Sequence, residues 1–203
     1  MLLFRPTGLK ELQLVFDSGM RAWPPRLPEQ PIFYPVLNYE YAAQIARDWN
    51  AKSAPFAGYV TEFSVSDDFI SRYERRVVGA RQHEELWVPA EELEELNRHI
   101  EGRIRLNGAF FGPGFEGYIP DRGGFRNKNA WWQFMIMAGT FTHGIMDFHM
   151  EIKVNPLAVF LHFPYWKKEN FEEMGIEPAE QQRVLAAIQE FWAHDFPQIE
   201  LPG

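Results

Sequence analysis

Two adjacent carboxylates, Glu84 and Glu85, stand in the stretch HEELWVP, directly ahead of a short apolar run that Pro89 closes. A carboxylate at the mouth of a strand can move a proton or steady a cation that forms beside it. The same two residues equally fit solvated charges at a turn. A second group, His143, Asp147, His149 and Glu151, offers nitrogen and oxygen donors at close spacing. On a strand, residues 147, 149 and 151 would share one face, an acceptable geometry for zinc or iron. No known ligand motif matches these four. The His-x-Glu of zinc deaminases needs paired cysteines, and this chain has no cysteine. No metal is therefore expected. His162 and His194 lie in aromatic surroundings and read as structural histidines. GPGFEG lacks both the strand–helix context and the lysine of a phosphate loop, and no nucleophilic-serine elbow is present.

The elements that must position these residues come in quick succession, and the fold class they predict is α+β. LLFRP reads as a short strand stopped by Pro6. Leu9, Leu12 and Phe16 then recur at helical spacing, with Gly19 as a stop. IFYPVL is rich in β-formers but interrupted by Pro35, which predicts an edge or bulged strand. Asn38 is placed to cap YEYAAQIARDWN, in which Tyr41, Ile45 and Trp49 share a face. GYVTEFSVS alternates as a strand does, LWVP is a third short strand, and Pro89 opens a helix over AEELEELNRHI. GRIRLNGAFF closes this first part. Residues 107–129 are dense in Gly and Pro and read as a connection, pinned by its own aromatics. The part that follows, 130–203, mixes helix and strand signals. Only EPAEQQRVLAAIQEFWAHDF is plainly helical, with Pro178 near its start.

Composition bounds the function classes. The chain has 203 residues, 46% hydrophobic and 16% aromatic, enough for a packed core. No apolar run approaches the roughly 20 residues of a membrane helix, so no membrane partner is expected. The N-terminus shows no basic start followed by a long apolar stretch, and the absence of cysteine fits a reducing cytoplasm. A net charge of −8, acidic in both halves, argues against nonspecific binding to duplex nucleic acid. A local basic pocket for a phosphorylated small molecule remains compatible with it.

Three features recur in one known arrangement: an arginine on the first strand (Arg5 in LFRPTG), a tyrosine on an aromatic strand before a helix (Tyr34 in IFYPVL), and the glutamate pair before LWVP. This order resembles the ADP-ribosyltransferase fold, whose members carry Arg or His, then Ser or Tyr, then Glu on successive catalytic strands. RPTGLKELQLV, PPRLPEQPIFYPVLNYEYAAQIARDWN and ELWVPAEELEELNRHI also resemble a family of small bacterial proteins labelled "ADP-ribosylation/crystallin J1". The resemblance covers residues 1–106. It implies an ADP-ribosyltransferase-like domain over 1–106; the Gly/Pro-rich connection over 107–129 and a C-terminal part over 130–203 of no assigned role lie beyond it.

The resemblance also implies NAD as substrate and a ligand bearing ADP-ribose. Loss of nicotinamide passes through an oxocarbenium-like ribose, which Glu85 would stabilise. Arg5 would clamp pyrophosphate or ribose with its planar fork, and Tyr34 would stack on the nicotinamide ring. Arg26, in the proline-rich loop, is placed to reach a phosphate, and Tyr41 is carried as a further contact, although a tyrosine at such a position is more often a packing residue than a pocket wall. Two departures shape the expectation. The Ser-Thr-Ser stretch of arginine-specific enzymes is replaced by FYPVL, and the acid that selects arginine falls at His83. The acceptor is therefore not expected to be arginine. Two functional readings follow: NAD-dependent ADP-ribosyl transfer or NAD hydrolysis, or a catalytically inactive module that binds a protein or nucleotide through the same cleft. A metal-dependent ADP-ribose hydrolase, the other half of the family label, would need aspartate-rich motifs that the sequence lacks.

Overall fold

The computed structural model describes residues 1–79 and 83–202. The chain is α+β and divides into two compact units, Met1–Pro113 and Gly114–Gly203.

In the first unit, β1 (Leu2–Gly8) runs straight into helix α1 (Leu9–Asp17). After β2 (Ile32–Phe33) comes α2 (Tyr39–Asp48), whose Asn38 side chain accepts the backbone N–H of Tyr41 as the spacing predicts. β3 (Ala57–Val65), α3 (Asp67–Ile70), β4 (Arg75–Val77), β5 (Glu84–Leu86), β6 (Val88–Pro89), α4 (Leu93–Arg98) and β7 (Ile100–Phe111) complete it. β3 pairs antiparallel with both β1 and β7, and β4 with β5. Phe4, Val36, Val60, Ala42, Ala43 and Ala46 form a core on the α2 side of the sheet. Leu3, Phe33, Trp23 and Phe63 are buried as well, and the last three make an aromatic cluster with centroids 5.1–6.5 Å apart.

β1 does not stop at Pro6 but continues to Gly8, because Pro6 pairs with Val60 of β3 without needing a donor on its other edge. The segment around Pro35 is no edge strand. Val36 exchanges both backbone bonds with Phe4 (2.8 and 2.9 Å), while Leu37 N–H reaches Glu84 O and Leu86 N–H reaches Pro35 O. Residues 35–37 are thus a seam between β1 and β5, and Pro35 is tolerated because only its carbonyl is used there. Glu84 and Glu85 lie within β5 rather than ahead of a strand, and Trp87 interrupts what LWVP was expected to continue. The helix expected from Pro89 is a 3₁₀ turn over 90–92 followed by α4. Residues 107–111, expected in the connection, finish β7.

The second unit contains α5 (Ala130–His143), α6 (Ile145–Val154), α7 (Pro156–Lys168) and α8 (Pro178–Asp195). α7 is apolar on nearly every side and lies buried, as a helix with no polar stripe must. Residues 114–129 are fastened to it: fully buried His162 accepts the N–H of Tyr118 at Nε2, and its Nδ1 donates to Gln133 Oε1. Gln133 Nε2 in turn donates to the carbonyls of Tyr118 and Lys128. Burial pushes the His162 imidazole down to about 3. The unfolded chain takes up a proton near pH 6.5 while the folded one refuses it until about pH 3. Stability is therefore complete above pH 6.5 and falls through that window, by about 1.4 kcal/mol per pH unit from this group alone. Urea midpoints at pH 7, 5 and 4 should show this fall, and a His162→Asn variant should begin less stable but lose less across the same window.

Candidate functional site

The seam sets the geometry. Phe4 and Val36 are a hydrogen-bonded pair, and the next residue of β1 facing that edge is Pro6, which has no N–H to continue the ladder. Pairing ends there, and a cleft of about 350 Å³ opens, lined by Arg5, Pro6, Tyr34, Val36, Ile45, Glu85 and Trp87. This volume lies within the range of small-molecule sites. The side chains of Val36 and Glu85 share a sheet face with Phe4, since they are opposite one another across successive bridges. Arg5, one residue on, belongs to the other face and enters the cleft from beneath the seam.

Arg5 is buried, 7% exposed, and held on several sides. Its Nε and Nη2 donate to Glu11 Oε1 at 2.9 and 2.8 Å, and Nη1 donates to the Tyr34 carbonyl at 3.2 Å. The guanidinium lies 4.4 Å over the Phe33 ring and 5.7 Å from that of Trp23. Of its five N–H donors, one on each terminal nitrogen is not committed to these partners. Arg26 meets the same Glu11 oxygen at 3.4 Å. Burial, then the neighbouring Arg5, pushes Arg26 down, with Glu11 and Tyr34 opposing. Arg26 stands behind Arg5 and does not line the cleft. Two arginines on one carboxylate leave a net positive charge at this end.

Glu85 is the opposite pole. It is 8% exposed, and Trp87 Nε1 donates to its Oε1 at 2.7 Å. Among the described residues it has no cationic partner. Half-exposed Tyr34 and Trp87 meet edge to face at 5.6 Å and 90°, forming an aromatic wall beside it. Tyr41 is buried behind Glu85 rather than in the cleft. Burial, followed by the charge of Glu85, pushes its hydroxyl up, so it stays neutral at neutral pH. Its ring stacks on His83 at 4.2 Å, and His83 also meets Gln44 Oε1 at 3.2 Å. Of the five residues singled out from sequence, Arg5, Tyr34 and Glu85 come together in the cleft; Arg26 and Tyr41 stand behind it. Glu11 and Trp87 were not anticipated. The signal for Trp87 is its position two after Glu85 on an extended chain; that for Glu11 is an acid in the first turn of a helix following the arginine strand.

The potential donors of the second unit disperse. His143 ends α5, and residues 147–151 are helical, so His149 leaves the side shared by Asp147 and Glu151. His149 stacks on Phe191 at 4.3 Å. Glu151 accepts from the Gly124 N–H and from Asn155 Nδ2. Among the described residues no three His, Asp or Glu are grouped to hold a metal ion, and no helix is long and apolar enough to cross a membrane. No family model, curated protein or solved structure matches the chain.

Proposed function

We propose that the first unit has an ADP-ribosyltransferase-like fold and cleaves NAD, transferring ADP-ribose to an acceptor or to water. The observation that carries this reading is Glu85: a nearly buried carboxylate without a cationic partner among the described residues, facing a cleft beside an aromatic wall. Such a pole attracts a cationic pyridinium ring and the ribose cation that replaces it. The side-by-side order of the Arg5 strand, the Tyr34 segment and the Glu85 strand also supports it. In the reaction the bond between ribose C1′ and the pyridinium nitrogen breaks, and its electron pair leaves on neutral nicotinamide. C1′ then bonds the acceptor oxygen or nitrogen, whose proton passes to solvent. Arg5 binds phosphate or ribose through its uncommitted N–H groups; the acceptor, with His83 stacked where a selecting acid would stand, is not arginine.

The test is to incubate the protein with NAD, with and without candidate acceptors, and assay free nicotinamide. Arg5→Lys keeps the charge but loses the fork held by Glu11 and the Tyr34 carbonyl. It should weaken NAD binding about tenfold, near 1.4 kcal/mol, by calorimetric titration. A second reading, a cleft that binds without cleaving, is favoured by how far Arg5 is committed to internal partners. Binding of NAD without release of nicotinamide would select it.

A further inference from the structure

We propose that Trp87 is a positioning residue for Glu85; this deepens the reading of the cleft given above and rests on it. A carboxylate on a three-residue strand swings about its own torsions unless something fixes it. Here the indole N–H fixes Oε1 at 2.7 Å and leaves Oε2 without a side-chain partner among the described residues. The donor is neutral. An arginine or lysine in its place would orient the carboxylate equally well but cancel the charge that a forming cation needs, whereas an indole orients it and leaves the charge in place. Trp87 sits where the strand breaks between β5 and β6, which lets its ring turn back onto the residue two before it.

The indole is itself held. Tyr34 meets it edge to face, and the Arg76 guanidinium lies over its ring at 4.1 Å. Arg76 stands directly opposite Glu85 in the β4–β5 ladder, so both belong to one sheet face. Arg76 has a single acidic neighbour within 4.0 Å among the described residues, the exposed Glu74, which meets it at the outer limit of an ion pair and leaves the guanidinium stacked on Trp87. A half-exposed tryptophan at a cleft mouth is thereby kept in one orientation, with its donor aimed at the carboxylate.

Trp87→Phe keeps the ring and removes the donor. It is expected to lower kcat about 30-fold with KM changed less than about threefold, because the loss lies in alignment during the reaction and not in binding. Trp87→His, which retains a ring N–H, should recover part of that loss. Independently of turnover, the Trp87 indole resonance in a ¹H–¹⁵N spectrum, identified by its loss in Trp87→Phe, should move upfield in Glu85→Ala. Full kcat in a folded Trp87→Phe would overturn the positioning role, as would an indole resonance indifferent to Glu85→Ala. Absence of nicotinamide release by the unaltered protein would overturn the reading beneath it, and is seen before any variant is made.

Discussion

Glu85→Gln is expected to lower nicotinamide release from NAD by about 10³-fold, roughly 4 kcal/mol of transition-state stabilisation, while the protein stays folded and binds NAD nearly as before. The size follows from what the substitution changes. Glutamine keeps the shape of the side chain and an oxygen to accept the Trp87 indole N–H, so the local hydrogen bond survives. The negative charge is lost. On the reading proposed above, the pyridinium ring of NAD is already cationic in the ground state and would also gain from the faces of Tyr34 and Trp87, so binding would depend on Glu85 only in part. In the transition state the positive charge moves onto the ribose, and with Glu85 neutral no anion from this pole meets it. The loss should therefore fall in kcat rather than KM. Full turnover in a folded Glu85→Gln protein would remove Glu85 from the mechanism. Unchanged melting alongside lost turnover would separate chemistry from stability.

How much of this was legible in the sequence depended on the length of each element. The Asn38 cap, the alternation of β3 and the long helix α8 carry their own periodic or capping signals over nine residues or more. The seam at 35–37 carries none: it is three residues bonded by strands far away in sequence, and Pro35 actively argues against pairing. α6 misled for a different reason. Asp147, His149 and Glu151 alternate like strand residues, but in a helix the same spacing turns His149 away from the other two. The candidate residues themselves were legible through their order along the chain. Their supports were not, because the Glu11–Arg5 and Trp87–Glu85 bonds depend on side-chain directions that only the packed sheet fixes.

Gly58→Ala should destabilise the first unit by about 3 kcal/mol, at the upper end of overpacking penalties, and lower its melting temperature by about 12 °C. A β-carbon at Gly58 would lie 1.9 Å from the carbonyl oxygen of Ala46 and 2.6 Å from its carbon. Both are backbone atoms of α2, so no side chain can swing aside; the helix must retreat. Ala42, Ala43 and Ala46 of α2 pack in one core with Phe4, Val36 and Val60, and that contact loosens together. The same retreat carries Ile45 away from the cleft it lines, so any NAD turnover should fall with stability. Gly139→Ala in the exposed interior of α5 makes the opposite case. Beyond the backbone of its own helix turn, no atom of the described residues lies within 4 Å of its added β-carbon, and alanine should raise the stability of the second unit by up to about 1 kcal/mol through helix propensity. One chemical change thus carries opposite signs at two glycines, and calorimetry on the two variants checks both. A Gly58→Ala protein melting with the unaltered chain would show that α2 does not lie against β3 at this distance, and would remove the packing that places Ile45 in the cleft.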